Sequence, residues 1–357
     1  MIDLTKYGYI QPATPPSGLI PGRITEVQRE LYTVITCFGE ASATLKGSFY
    51  YTAEARTDFP CVGDFVLVEQ HADAFRIAEL LPRFSKFSRS DFSGHSVGYV
   101  KTVLEQVVAA NFDYVFIVTS LNNDFNAGRI LRYVTQARGS GGKPIVILTK
   151  ADLVTDAESH IASVREIAQN IPVCPISSLT GQGVKQLDEF LQPGKTVVLL
   201  GMSGAGKSSL VNALMNEEVM TVRSIREDDS RGRHTTTHRQ LFMLPSGAMV
   251  IDTPGMRELG LFGAQDAISE GFSDVEELFE ECRFSDCSHK KEPGCAVIAA
   301  IKDGRLTRKR WEQYLAQRRE NHFADDKASF LREKRVTERD GAMWHRERRK
   351  NGGNRKR

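Results

Sequence analysis

No run among the 357 residues approaches the ~18 consecutive apolar positions that a membrane-crossing helix needs. The opening MIDLTKYGYI also lacks a basic stretch followed by an apolar one, so neither a membrane span nor a secretory leader is expected, and the chain reads as cytoplasmic. Neither end carries a myristoylation or prenylation signal, which argues against a lipid-anchored switch protein. No internal repeat is visible. Cysteine is sparse, with six residues at positions 37, 61, 174, 282, 287 and 295. The first three stand alone in apolar surroundings and read as small buried hydrophobes.

Net charge is nearly absent, at +2, but what there is lies unevenly. From Lys327 to Arg357 there are 12 Lys and Arg against 4 Asp and Glu, while the first 326 residues hold 35 against 41. That basic end reads either as a solvated tail or as an arm that neutralises nucleic-acid phosphates. A hydrophobic fraction of 41% and a charged fraction of 26% are those of an ordinary globular protein. The length suits two or three domains at ~100–200 residues each.

Up to residue 85 the chain shows short alternating runs separated by turn residues: GRITEVQRELYTVIT, SATLKGSFYYTA, CVGDFVLVEQ and FRIAELL. This spacing predicts a small β-barrel over 1–85. KFSRSDFSGHSVGYVK, polar and glycine-containing, reads as a linker. From about Val107 the rhythm changes to strands alternating with helices, predicting a parallel α/β sheet over 86–264. DYVFIVTS, KPIVILTK, PVCPISS and KTVVLLG are its buried strands, and RQLFMLPSG with AMVIDTPG reads as a hairpin. NAGRILRYVTQAR, DAESHIASVREIAQNI, VKQLDEFL and KSSLVNALMN read as helices. The remainder, 265–357, is helical and charged around the last three cysteines.

The stretch GMSGAGKSS fits GxxxxGK[ST] between a strand and a helix. Gly201, Met202, Ser203, Gly204, Ala205, Gly206, Lys207, Ser208 and Ser209 therefore form a candidate phosphate loop. Glycines let amides converge on the β-phosphate, Lys207 reaches the β and γ phosphates, and Ser208 ligates magnesium. DTPG follows an apolar strand downstream; there Asp252 would hold magnesium through water and the Gly255 amide would sense the γ-phosphate. Between them SRGRHTTTHR offers Thr235, Thr236 and Thr237 as switch threonines that could meet the metal, and the spacing does not choose among them.

TKAD, comprising Thr149, Lys150, Ala151 and Asp152, ends one strand and opens a helix. The Asp152 carboxylate can accept from guanine N1 and N2 while the Lys150 stem packs along the base. Adenine has no such donor pair, so an unpaired carboxylate costing ~1–3 kcal/mol selects guanine. ISSLTG would add backbone contacts, with Ser177 or Ser178, to the base O6. The order is base motif, serine turn, phosphate loop, threonine loop, DTPG: the usual GTPase order cut in one place and rejoined elsewhere. Parallel strands keep their neighbours when the cut falls in a surface loop. The chain then leaves the domain just after DTPG, tying the γ-phosphate sensor to whatever lies downstream.

Cys282, Cys287, His289 and Cys295 give CxxxxCxHxxxxxC, a donor set that suits closed tetrahedral zinc.

Taken together, TKAD, GMSGAGKSS, GRHTTT, DTPG and the Cys3His spacing resemble the ribosome small-subunit-dependent GTPase A (RsgA) family of circularly permuted GTPases, over almost the whole chain. The resemblance implies an OB-fold barrel, a permuted P-loop GTPase domain and a helical zinc-binding domain. It also implies hydrolysis of GTP to GDP, stimulated by the 30S subunit and its 16S rRNA during late maturation. A monomer with one structural zinc, and with magnesium accompanying GTP, goes with it. Two features depart from the family: Thr149 replaces the commoner Asn, which should loosen the bracing of its loop, and the linker lacks the usual basic, proline-containing segment. Met256 stands where many GTPases have a water-orienting glutamine, so slow intrinsic turnover is expected, with His234 of GRHTTT the candidate to orient water. Phe49, Tyr50 and Tyr51 are either an RNA-stacking patch on the barrel or core packing.

Overall fold

The structure, a computed structural model, describes residues 1–10, 16, 18–28, 30–53, 55–71, 74–91, 104–122, 125–168, 170–218, 239–252 and 264–322. Five strands come first: β1 (Ile20–Gln28), β2 (Leu31–Thr36), β3 (Gly39–Leu45), β4 (Phe65–His71) and β5 (Ala74–Leu80). β1 pairs with both β2 and β4, and the parallel β3–β5 ladder closes the circle through β4. This is a five-stranded OB-like barrel. Ile24, Val34, Val66, Val68 and Ile77 are fully buried and fill it, as a narrow barrel requires.

Two local readings of the sequence are corrected here. The FYY segment is not strand: after β3 the chain turns at Lys46 and forms a short helix, α1 (Phe49–Thr52). One face of that helix puts Phe49 into the barrel core, while Tyr51 is left 92% exposed. The segment read as a linker begins as a strand, β6 (Lys86–Asp91), paired antiparallel with β7 (Leu104–Ala110). Phe87 is its one large apolar residue, stacked on Phe112 at 5.0 Å. Residues 92–103 lie outside the described residues.

The α/β part follows as β8 (Tyr114–Ser120), α2 (Ala127–Gly139), β9 (Lys143–Thr149), α3 (Glu158–Ile167), β10 (Val173–Pro175), β11 (Thr196–Leu200), α4 (Lys207–Met215), β12 (Arg239–Met243) and β13 (Met249–Asp252). Spatial order is β10-β9-β8-β11-β13-β12; the first five are parallel and β12 is antiparallel to β13. Val115, Phe116, Ile117 and Val118 are buried on both faces of β8, which is why this central strand is a continuous apolar run. Asn126 caps α2 by accepting from the Arg129 amide at 2.9 Å, and α2 and α3 cover one face with Tyr133, Val134, Ile161 and Val164. α4 covers the other with Leu210 and Val211, beside Leu187 and Phe190. VKQLDEFL, read as a helix, coils as a 3₁₀ turn over Val184–Glu189.

Barrel and α/β sheet are continuous, because Glu26 and Val27 of β1 pair with Gln240 and Arg239 of β12. Beside that seam Arg23 is 1% exposed. Its guanidinium donates to the carbonyls of Tyr7, Gly63 and Asn111 and to Thr196 Oγ1, at 2.6 to 3.1 Å. The C-terminal part contains α5 (Gln265–Gly271), α6 (Ser273–Glu280), α7 (Ala296–Asp303) and a helix α8 over 308–322. Its core of Ile268, Phe272, Val275 and Val297 takes in Leu131 from α2, and Arg132 of α2 holds both carboxylate oxygens of Glu320 on α8.

Candidate functional site

Four motif-bearing loops leave the same edge of the sheet. β9 ends at Thr149, β10 at Pro175, β11 at Leu200 and β13 at Asp252, and all four strands run parallel. Ligands of open α/β sheets sit beyond this carboxyl edge. From β10 to β13 there are four strand intervals of about 4.8 Å, roughly 19 Å in all, enough for an extended nucleoside triphosphate.

At the β11 end the phosphate loop is shaped by close approach. A Cβ on Gly201 would lie 2.2 Å from the Val118 carbonyl oxygen, and Gly206 takes a left-handed φ of 95°. No side chain caps the first turn of α4, so its amides and the positive end of its dipole face the loop. Lys207 Nζ donates to the carbonyls of Gly201 and Met202 at 2.7 and 2.8 Å, which folds the ammonium back across the loop. Ser208 and Ser209 are half-buried at the start of the helix. Such a cradle of amides and a lysine suits a polyphosphate.

At the β9 end Lys150 is held at φ 60°, and Ala151–Leu153 form one 3₁₀ turn that leaves Asp152 exposed. The Ala151 amide donates to the Ile176 carbonyl at 3.0 Å, which sets the serine turn beside the base motif. Thr149 does not leave its loop slack. Its hydroxyl is buried and donates to the Ala205 carbonyl at 2.6 Å, so the loosening expected from a missing Asn is offset by a direct brace to the phosphate loop.

The two serines have different situations. Ser177 is fully buried, and its hydroxyl accepts from the Thr180 amide at 3.2 Å within its own turn. Ser178 Oγ is buried without a hydrogen-bond partner among the described residues. Its amide likewise donates to no described residue. Asp252 ends β13 opposite Gln240 and one strand away from β11. His234, Thr235, Thr236, Thr237, Gly255 and Met256 lie outside the described residues, as does the basic end from 323 onward.

Some 30 residues beyond β13, the Cys3His spacing closes in space. The ligand atoms of Cys282, Cys287, His289 and Cys295 all lie within 4.8 Å of one another. His289 takes a left-handed φ of 56° and turns Nδ1 to 3.6 Å from the sulphurs of both Cys282 and Cys295. Its loop is gathered by Glu292, whose carboxylate accepts from Ser288 and from the amides of Lys290 and Lys291 at 2.9 Å. Those bonds, the Ser288 hydroxyl first, hold the carboxyl down to about 2. Burial lowers the His289 pKa and so favours the neutral imidazole that a metal requires. Desolvation, with the adjacent sulphurs of Cys295 and Cys282, pushes the Cys287 thiol up to about 11. Four soft donors this close could hold a cation, and the donor set fits zinc.

No described helix is long and apolar enough to cross a membrane. The sequence model for RsgA GTPase matches residues 80–262. The chain is 48% identical over 300 residues to "Small ribosomal subunit biogenesis GTPase RsgA 2" of Listeria monocytogenes serotype 4b (strain F2365), covering 84% of this chain and 83% of that protein. It is 42% identical over 327 residues to a protein of the same name from Lactiplantibacillus plantarum (strain ATCC BAA-793 / NCIMB 8826 / WCFS1), covering 90% of each. In fold it is similar to YjeQ from Thermotoga maritima, with a TM-score of 0.59 at 25% identity over 84% of this chain and 96% of that one. A second similar structure is that of YloQ, a circularly permuted GTPase, with a TM-score of 0.57 at 23% identity over 85% of this chain and 96% of that one.

Proposed function

The chain belongs to the RsgA GTPase family, and we propose that it binds the small (30S) ribosomal subunit and hydrolyses GTP to GDP and phosphate late in that subunit's maturation. The observation that carries this reading is the gathering of TKAD, the serine turn, the phosphate loop and Asp252 at one sheet edge, with Thr149 bonded to Ala205 across it. Asp152 accepts from guanine N1 and N2, Lys150 lies along the base, and Thr149 and Ala151 hold that loop in place. The Ser178 amide donates to O6, while Ser177 shapes the turn. Amides from Gly201 to Ser209 and Lys207 grip the phosphates.

Ser208 and Asp252, with Thr235 or Thr236 and the Gly255 amide, would hold magnesium and the γ-phosphate. Magnesium, when bound, neutralises phosphate charge. Zinc on Cys282, Cys287, His289 and Cys295 would be structural.

Intrinsic turnover is slow and rises when the 30S subunit sets the threonine loop against the nucleotide. His234 then orients the attacking water. RNA contacts to 16S rRNA come from the barrel 1–85, the zinc domain 265–357 and its basic end, flanking a GTPase domain over 86–264. The chain acts as a monomer in the cytoplasm. GTP and ATP hydrolysis titrated with purified 30S subunits at two salt concentrations tests this: a GTP-specific rate that rises with 30S and falls with salt is expected. A rate indifferent to 30S would leave only a nucleotide-gated RNA-binding scaffold. His234→Ala turning over at the wild-type rate with 30S present would remove His234 from the mechanism.

A further inference from the structure

His289 is flanked by aromatic rings. Phe279 of α6 stacks on the imidazole with centroids 4.3 Å apart and planes 21° from parallel. Trp311 of α8 meets it edge-on at 5.8 Å and 79°. Phe279 also touches Trp311 at 6.2 Å and Tyr314 at 5.7 Å, and Trp311 stacks on Tyr314 at 5.6 Å. The Tyr314 hydroxyl donates to Glu276 of α6 at 2.9 Å, closing the wall.

What the imidazole lacks matters as much. A metal-bound histidine ordinarily donates its second ring N–H to a carboxylate, a carbonyl or water, and a protein partner there fixes the plane of the ring. Among the described residues the only hydrogen-bond contacts of the His289 ring are at Nδ1, to the sulphurs of Cys282 and Cys295. Nε2 has none. Rotation of the ring is therefore restrained by the flat face of Phe279. That face is also electron-rich, so it attracts an imidazole more strongly once coordination has drawn charge from it.

We propose that Phe279 is a positioning residue for the metal, standing where other sites use a hydrogen-bonded carboxylate, and that through Trp311 and Tyr314 it couples metal occupancy to the seating of α8. This rests on the reading of the Cys3His cluster as a zinc site. The consequence is directional: α8 carries Glu320, the partner of Arg132 on α2, so the metal influences how α8 sits against α2.

The chain has two tryptophans, so Trp344→Phe leaves Trp311 as the sole tryptophan of the full-length protein, and excitation at the red edge of the tryptophan band reads it apart from the tyrosines. Removing zinc with a chelator is expected to shift Trp311 emission to the red, and adding zinc back to restore it. In competition with a chromophoric chelator, Phe279→Leu should bind zinc about tenfold more weakly, while Phe279→Tyr, which keeps the ring, stays within about twofold. Emission unmoved by measured loss of zinc, or wild-type zinc affinity in Phe279→Leu, would overturn the proposal. If Phe279→Leu does not fold, Phe279→Met, which keeps the bulk without the ring, replaces it in the zinc competition with the same expected loss. A chain that takes up no zinc in metal analysis would instead overturn the zinc site itself, and the proposal with it.

Discussion

The hydroxyl of Thr149 donates to the carbonyl of Ala205 at 2.6 Å, joining the end of β9 to the loop after β11 over the intervening strand β8. One bond thus ties the TKAD loop to the GMSGAGKSS loop, although 56 positions separate the two residues. A Cβ on Gly206 would lie 3.2 Å from the same hydroxyl oxygen, so the threonine also packs against the loop it braces. Thr149→Val keeps the shape and removes the donor, leaving a buried carbonyl unpaired at a cost of ~1–3 kcal/mol. GDP affinity measured by calorimetry should fall by about tenfold or more, and Thr149→Ser should restore most of it. Equal affinities for the three proteins would show that the bond does not position the site.

Ser177 and Ser178 should separate cleanly. Ser177→Ala deletes the acceptor for the Thr180 amide inside a buried turn, so both thermal stability and GDP affinity should drop. Ser178→Ala removes a buried hydroxyl that has no partner among the described residues. It should leave the melting temperature unchanged or slightly raised, and GDP affinity within about twofold, because the amide is retained. A large affinity loss in Ser178→Ala alone would assign the base contact to its hydroxyl instead.

The barrel rests on a buried ion pair. Arg83 binds Asp64 through Nε and Nη2 at 2.7 and 2.6 Å, and also donates to the carbonyls of Thr57 and Phe59, while Asp64 is 0% exposed. Arg83→Met strands that carboxylate and should destabilise the chain by ~3–5 kcal/mol in urea unfolding. A loss under about 1 kcal/mol would mean that water reaches Asp64 as a substitute.

The loop of the Cys3His cluster should respond to acid through Glu292. Its carboxyl is held at about 2 in the folded chain, below the ordinary 4.5, so folding favours the ionised form. The contribution is fully present above about pH 4.5 and is lost as pH falls toward 2. Glu292→Gln should therefore melt at a lower temperature than wild type at neutral pH, with the gap narrowing on acidification. A gap that stays constant with pH would show that the ionised carboxylate adds nothing.

Much of the architecture was legible in the chain because both-face burial writes parallel strands as apolar runs such as VFIV and PIVIL, and because the phosphate loop, TKAD and the Cys3His spacing are local patterns. What escaped was set by distant partners. β6 carries one large apolar residue, Phe87, and exists because β7 pairs with it. Arg23 looks like an outward strand residue until the carbonyls of Tyr7, Gly63 and Asn111 converge on it from three other segments. The brace from Thr149 ends on a backbone carbonyl, which has no signature in sequence. Helix α1 was missed because FYY has strand-like composition, yet only Phe49 needs burying.

The central claim is that Asp152 and Lys207 hold opposite ends of one guanosine triphosphate. Calorimetric titration of the wild-type and Asp152→Asn chains with GTP, ATP and xanthosine triphosphate tests it most directly, since an asparagine amide can donate to the xanthine 2-oxygen that a carboxylate repels. The expected result is wild-type preference for GTP over both others by tenfold or more, turned toward xanthosine triphosphate in Asp152→Asn. Wild-type binding of ATP as tight as GTP, or unchanged GTP affinity in Asp152→Asn, would contradict it.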